Sequence, residues 1–178
     1  MRRFTPAHLR RLWSDDAGSA TVEFAIMFPL LITVFLSAME LGIISLRHSM
    51  LERGLDMAVR DIRLGTGTAP QHDDIKDAIC DFAGVLPQCD THLRLEMVSI
   101  DMRAYMAPPS GANCIDHSEP SNPVRSFVNG VANEMMLLRA CYVFTPVIPG
   151  AGLGYYLELD GANNAAMIAT SAFVQEPE

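Results

Sequence analysis

The feature that most constrains this chain is a long apolar run from Phe24 to Leu46, which begins directly after the carboxylate of Glu23. As a helix, its 23 residues would extend about 34 Å, enough to cross a hydrocarbon core of roughly 30 Å. Thirteen of them are Phe, Ile, Leu or Val. Their transfer into lipid, at roughly −0.3 to −0.6 kcal/mol each, outweighs roughly +2.5 to +3.5 kcal/mol for the acid Glu40. The run therefore predicts a transmembrane helix with Glu40 at its far interface.

A cleaved secretory signal peptide is the alternative interpretation of this run. Such a signal has an apolar stretch of about 7 to 15 residues, followed by a small-x-small cleavage site. Ser37-Ala38-Met39 fits that site poorly, and the apolar character continues beyond it. We therefore expect the segment to stay in the mature protein.

The charges divide the chain into a basic head and an acidic body. Residues 1–18 carry a net charge of +2 and the remaining residues −10, which together give −8. A body of this charge lacks the basic footprint of nucleic-acid binding, so nucleic acid is excluded as a partner. Four arginines precede the span and four follow it closely, so the positive-inside rule leaves its orientation open. The cysteines, all in the body, favour an oxidising compartment there and a cytoplasmic N-terminus.

Proline occurs once inside the span, at Pro29. It removes a backbone donor and leaves the carbonyl of Ala25 without its helical partner. A kink near residues 25–29 is therefore expected, and simple tolerance of proline in a membrane helix is the alternative.

Glu23 has a natural partner if the chain is cut between Gly18 and Ser19. The new α-amino group would then lie one helical turn before the carboxylate, at the i−4 position. A carboxylate that enters lipid is much less costly when it is paired, either within the chain or with a neighbouring copy. The alternative is an interfacial acid that reaches toward water without a partner.

The order glycine, four residues, glutamate and aromatic from Gly18 to Phe24 resembles the processing site of type IV prepilins. The wider stretch GSATVEFAIMFPLLITVFLSAMELG resembles the TadE-like pseudopilins of the tight-adherence (Tad/Flp) pilus system. The resemblance implies that a prepilin peptidase cuts between Gly18 and Ser19, that Glu23 serves processing or assembly, and that the body faces the periplasm. Phe24 stands where the family signal usually has tyrosine.

Beyond the span, apolar residues three and four positions apart predict that the helix continues. This stripe consists of Leu41, Ile44, His48, Leu51, Leu55, Ala58 and Ile62. Gly65 predicts the end of a single helix of about 40 residues. We expect the stripe to pack on the chain's own sheet, and packing on a neighbouring subunit is the alternative.

The body is predicted to contain one short helix and three strands. An amphipathic helix is expected at residues 73–82, and strands at 92–106, 134–144 and 165–174. In the first strand the apolar face changes after Met97, which predicts a bulge or a strand buried on both sides. The second is apolar on both faces, as a central strand is. The predicted fold is α+β: a long N-terminal helix, half transmembrane and half periplasmic, on a small antiparallel sheet of about three strands.

The four cysteines, Cys80, Cys89, Cys114 and Cys141, predict two disulfides with three possible pairings, and free buried thiols in a reducing compartment are the alternative. A helix and a turn can bring Cys80 and Cys89 together, and Cys114 in a loop could then reach Cys141 in the central strand. Zinc is another alternative, but the spacing is not C-x2-C and the nearby histidines form no ligand pattern. No metal and no cofactor is therefore expected. The stretch GAGLG at 150–154 lacks the nucleotide-binding spacing and predicts a flexible loop.

These observations predict a pilus protein without catalytic residues. Its expected parts are a cytoplasmic leader (1–18), a transmembrane helix (19–46), a helical stalk (47–65) and a periplasmic domain (66–178). The expected partners are a prepilin peptidase, other pilins or pseudopilins, the inner-membrane Tad machinery and the lipid bilayer. The expected location is the bacterial inner membrane, crossed once, with incorporation into a cell-surface pilus as an option. The alternative is a periplasmic enzyme or ligand-binding domain on an uncleaved signal anchor.

Overall fold

A computed structural model describes residues 19–64, 70–104, 114, 127–150 and 152–176. The predicted leader, including Gly18, and the predicted helix end at Gly65 lie outside these ranges. In chain order the described elements are α1 (Ser19–Leu64), α2 (His72–Ala83), α3 (Cys89–His92), β1 (Leu93–Ser99), β2 (Met135–Phe144), a 3₁₀ turn (Gly154–Tyr156) and β3 (Ala165–Val174). The predicted α+β fold, a long helix with a three-stranded antiparallel sheet, is confirmed.

Helix α1 is 46 residues long and therefore extends about 69 Å. Pro29 lies inside it, and α1 continues on both sides. The hydroxyl of Thr33 donates to the Pro29 carbonyl at 2.7 Å, and the hydroxyl of Ser37 donates to the Thr33 carbonyl at 2.8 Å. Both polar side chains are thus satisfied within the helix, as an apolar surrounding requires. The kink near Pro29 stays a prediction.

The second half of α1 packs on the body through the predicted apolar stripe. Leu51, Leu55 and Ala58 are at most 1% exposed, whereas Leu41 is 55% exposed. The stripe contacts β3, as predicted, and in addition α2. At Gly54 the two helices approach closely, because an added Cβ would lie 2.6 Å from the Ile79 carbonyl oxygen. The body is therefore built directly onto α1.

Helix α2 begins one residue before its predicted start and ends one residue after its predicted end. The carboxylate of Asp74 accepts a hydrogen bond from the backbone N–H of Gln71 at 2.9 Å, which caps the first turn. The side-chain hydrogen bond from His72 lowers the pKa of Asp73 below its ordinary value, and Lys76 acts in the same direction. Acidic side chains at this end also complement the helix dipole.

The sheet has the order β1-β2-β3, and both pairs of strands are antiparallel. Its inner face carries Leu95 on β1, Ala140 on β2 and Ala169 on β3, which lie side by side in the register. These side chains belong to the main core together with the buried residues of α1 and α2. Strand β2 is buried along nearly its whole length, which confirms the prediction of a central strand.

The opposite face of the sheet contains a buried ion pair. Arg139 Nη2 donates to Glu96 Oε2 at 2.5 Å, and the two residues face each other across β1 and β2. They are only 7% and 8% exposed. Removing either partner would be destabilising, because the buried charge that remains would lose the opposite charge beside it.

Strand β1 is shorter than predicted. It ends at Ser99 rather than near residue 106, and its pairing with β2 runs from Leu93 to Ser99 without a bulge. Burial of Glu96 between Leu95 and Met97 makes β1 a strand buried on both sides. The change of apolar face after Met97 therefore comes near the end of the strand.

Candidate functional site

The segment that carries the predicted processing site forms the beginning of α1. Ser19 is the first described residue of α1, and Glu23 follows it by four positions on an exposed stretch. Phe24 stacks on Phe28, with ring centroids 5.0 Å apart. The structure thus places Glu23 and Phe24 four and five residues after the predicted new terminus, within the first one and a half turns of the shortened helix. Gly18 lies outside the described residues, so cleavage there stays a prediction.

The first half of α1 presents its apolar side chains outward. Its most apolar 18-residue window has a mean hydropathy of 2.1 and is not buried by the rest of the chain. The exposed large apolar residues of this part are Val22, Phe24, Ile26, Met27, Phe28, Leu30, Leu31, Val34, Phe35, Leu36 and Met39. By length and composition, this helix fits a single membrane crossing.

Glu40 directly follows these residues and, unlike them, is buried, with only 3% of its surface exposed. Its carboxylate accepts two backbone hydrogen bonds, from Ile148 N at 3.3 Å and from Gly154 N at 3.1 Å. Both donors belong to the connection between β2 and β3, more than 100 residues away along the chain. Glu40 therefore attaches this connection to the helix.

The connection reaches Glu40 because its backbone can approach closely. At Gly154 an added Cβ would collide with the Ile148 carbonyl, so a side chain at this position would displace the two donors. At the start of the 3₁₀ turn, the backbone N–H of Gly154 points at the carboxylate of Glu40. The glycine-rich stretch therefore has a structural role that its sequence did not indicate.

Beyond Glu40, the helix surface becomes part of the folded body. Ile44 packs on the core, and the Arg47 guanidinium lies 5.8 Å from the centroid of the Phe144 ring. The exposed large apolar residues before Glu40 lie between Val22 and Met39, which is 18 positions or about 27 Å, and beyond Glu40 the side chains of Leu41 and Leu46 are still half-exposed. This length is close to the roughly 30 Å of a hydrocarbon core. The first half of α1 is thus an exposed apolar helix long enough to cross a membrane, and the body is attached at its C-terminal end.

The structure joins the four cysteines in the two pairs that the sequence favoured. The Cα atoms of Cys80 and Cys89 are 5.7 Å apart, and those of Cys114 and Cys141 are 5.3 Å apart. Both separations lie in the usual range for disulfides. One bridge ties α2 to α3, and the other ties Cys114 to the central strand. In the ranges that the structure describes, His, Cys, Asp and Glu side chains form no group of three suited to a metal ion.

Comparison with known families matches α1 up to its last four residues, together with the residue before it. Residues 18–60 match the TadE-like protein family. The predicted resemblance is confirmed over this segment, which contains Gly18, Glu23, Pro29 and Glu40. The sheet lies beyond the TadE-like segment. No curated protein matches the chain, and no solved structure does either.

Proposed function

We propose that this protein is a structural component of a Tad/Flp pilus apparatus, anchored in the bacterial inner membrane by the first half of α1. The observation that carries the proposal is the TadE-like match over residues 18–60, which coincides with an exposed apolar helix. The rest of α1 carries a disulfide-linked α+β body. Such an arrangement suits an assembly subunit without catalytic activity of its own.

Processing by a prepilin peptidase would occur between Gly18 and Ser19. Because α1 begins at Ser19, the released ammonium would lie at the start of the helix, four residues before Glu23. An attractive pair of this kind reduces the cost of holding a carboxylate at the edge of lipid. The ammonium of a neighbouring subunit could serve equally, which would link the pair to assembly.

The body would face the periplasm, with the leader in the cytoplasm. Two disulfides in the body support this orientation, because such bonds persist in oxidising compartments. The partners are then the peptidase, other pilins or pseudopilins, and the inner-membrane Tad machinery, within the lipid bilayer.

The N-terminal mass of the protein extracted from membranes tests the processing step. Loss of residues 1–18 is expected, with a new terminus at Ser19. A mass that starts at Met1 would contradict processing and favour a plain membrane anchor for an enzyme or a ligand-binding domain.

A Glu23→Ala variant tests the role of the carboxylate separately. It should keep both disulfides in the body but no longer co-purify with the pilus fraction. The matched control is Asp56→Ala, which removes an exposed acid from the body-proximal half of the same helix. Normal assembly of the Glu23→Ala variant would refute the pairing mechanism even if the leader is removed.

A further inference from the structure

We infer that the turn at residues 152–157, here called the tyrosine turn, contacts the phospholipid bilayer on the side of the body and fixes how deep α1 sits. This inference rests on the proposed membrane crossing of α1. It adds a second membrane contact, made by a part of the body that lies outside the TadE-like match.

The position of the tyrosine turn along α1 is the first argument. The turn is attached to Glu40 through the N–H of Gly154, directly after the exposed apolar stretch from Val22 to Met39. Between the turn and the helix lies an open groove of about 380 Å³. It is lined by Ser37, Ala38, Leu41, Gly152, Leu153 and Tyr156. Because these helix residues continue the apolar stretch, a bilayer that surrounds the stretch must also meet the turn.

The chemistry of the exposed side chains is the second argument. Tyr155 is 68% exposed and Tyr156 is 81% exposed, and their rings stand edge to face with centroids 5.4 Å apart. Tyrosine combines an apolar ring with a polar hydroxyl and is enriched where lipid chains meet headgroups. Exposure of two adjacent rings to water alone would leave this apolar surface uncovered.

The third argument is that the carboxylate beside the groove is buried. The carboxylate of Glu40, the acid on α1 beside the groove, is withdrawn from the surface by two backbone donors, whereas Glu158 is exposed just after the turn. The groove is therefore lined mainly by apolar and small residues. Such a lining fits acyl chains and glycerol groups, whereas a polar peptide would leave its own groups without partners.

Depth-dependent fluorescence quenching tests the inference. The background is Trp13→Phe, which removes the single native tryptophan. Three probes are then compared in vesicles: Tyr156→Trp in the tyrosine turn, Phe35→Trp in the apolar stretch, and Val131→Trp, an exposed site beside the start of β2. That end of the sheet is far from the membrane, since Arg63, near the end of α1, pairs with Glu176 there.

Lipids brominated close to the headgroup should remove about half or more of the emission of the Tyr156→Trp variant, as expected for an interfacial ring. Lipids brominated near the chain ends should quench it less and should quench the Phe35→Trp variant more. The Val131→Trp variant should respond to neither lipid. A Tyr155→Trp variant repeats the measurement from the neighbouring ring, in case one substitution disturbs the turn.

Three results would count against the inference in different ways. If the Phe35→Trp variant is quenched but both turn variants behave like Val131→Trp, the turn does not touch lipid. If quenching of the turn variants disappears as the protein-to-lipid ratio rises, a second copy occupies the groove instead. If the Phe35→Trp variant is also unquenched, the proposed membrane crossing itself has failed.

Discussion

Glu40 offers the sharpest test of how the body is attached to α1. Its carboxylate accepts backbone hydrogen bonds from Ile148 and Gly154 at 3.3 and 3.1 Å, and Glu40 is only 3% exposed. Hydrogen bonds to a charged group contribute about 1.5 to 3 kcal/mol each, and we take the low end because these distances are long. The Glu40→Ala variant should therefore destabilise the closed connection by about 3 kcal/mol.

Hydrogen exchange measures this loss directly. The amides of Tyr156 and Leu157 donate to Leu153 and Gly154, so they report opening of the turn without contacting Glu40 themselves. At about 1.4 kcal/mol per factor of ten, a loss of 3 kcal/mol should speed their exchange roughly 100-fold. The Glu40→Gln variant keeps one acceptor oxygen, and its exchange should rise roughly tenfold.

The control for this experiment is Glu52→Ala, which removes an exposed acid of the same helix that pairs only with a nearby histidine in the described structure. Its turn amides should exchange as in the unaltered protein. Amides in the centre of β2, such as that of Ala140, should stay protected in all variants. If Tyr156 and Leu157 exchange within about threefold of the unaltered protein after Glu40→Ala, the carboxylate does not hold the turn closed.

Three further perturbations probe the packing of the body. Gly54→Ala would push a methyl group to 2.6 Å from the Ile79 carbonyl oxygen, so thermal unfolding should show a loss of about 1 to 3 kcal/mol. Replacing both Cys114 and Cys141 by alanine opens a loop with a sequence separation of 27 and should destabilise the body by about 3.5 kcal/mol, again by thermal unfolding. Burial raises the pKa of Tyr142 above its ordinary value of 10.0. The stability that the buried neutral phenol contributes is therefore fully present below about pH 10 and is lost as the pH rises through the folded pKa. A pH series of denaturation curves should show this alkaline loss, and the Tyr142→Phe variant should lack it.

Much of the fold could be predicted because its determinants are local. The apolar run and the stripe from Ile44 to Ile62 predict one helix, since both follow its periodicity. Strands β2 and β3 were predicted within one residue, because each is a compact apolar run bounded by turn residues. The end of β1 was missed, since Ile100 and Met102 continue an apolar alternation although the pairing with β2 stops at Ser99.

The ion pair on the outer face shows where local patterns fail. Glu96 and Arg139 are separated by 43 residues, and each alone looks like a solvated charge. Only the antiparallel register brings them opposite each other, and the register depends on pairing that one strand does not encode. The sequence does contain one indication of this ion pair. Each charge interrupts an otherwise apolar strand, where an unpaired charge would be too costly to bury.

The apolar segment of α1 could be found from the sequence, but the different surroundings of its two acids, Glu23 and Glu40, could not. Hydropathy treats every carboxylate alike, and Glu40 was therefore expected only to lie at the far interface of a segment that runs to Leu46. In the structure the two acids differ in kind, because Glu40 accepts hydrogen bonds from two amides of its own body whereas Glu23 lies at the opposite end of the apolar stretch, four residues after Ser19. Glu40 would thus fix the body on the helix, and Glu23 would lie one helical turn from the new terminus. Replacing each acid by alanine should therefore affect a different property. The Glu40→Ala variant should open the connection between β2 and β3 more often, and the Glu23→Ala variant should be incorporated less into the pilus fraction.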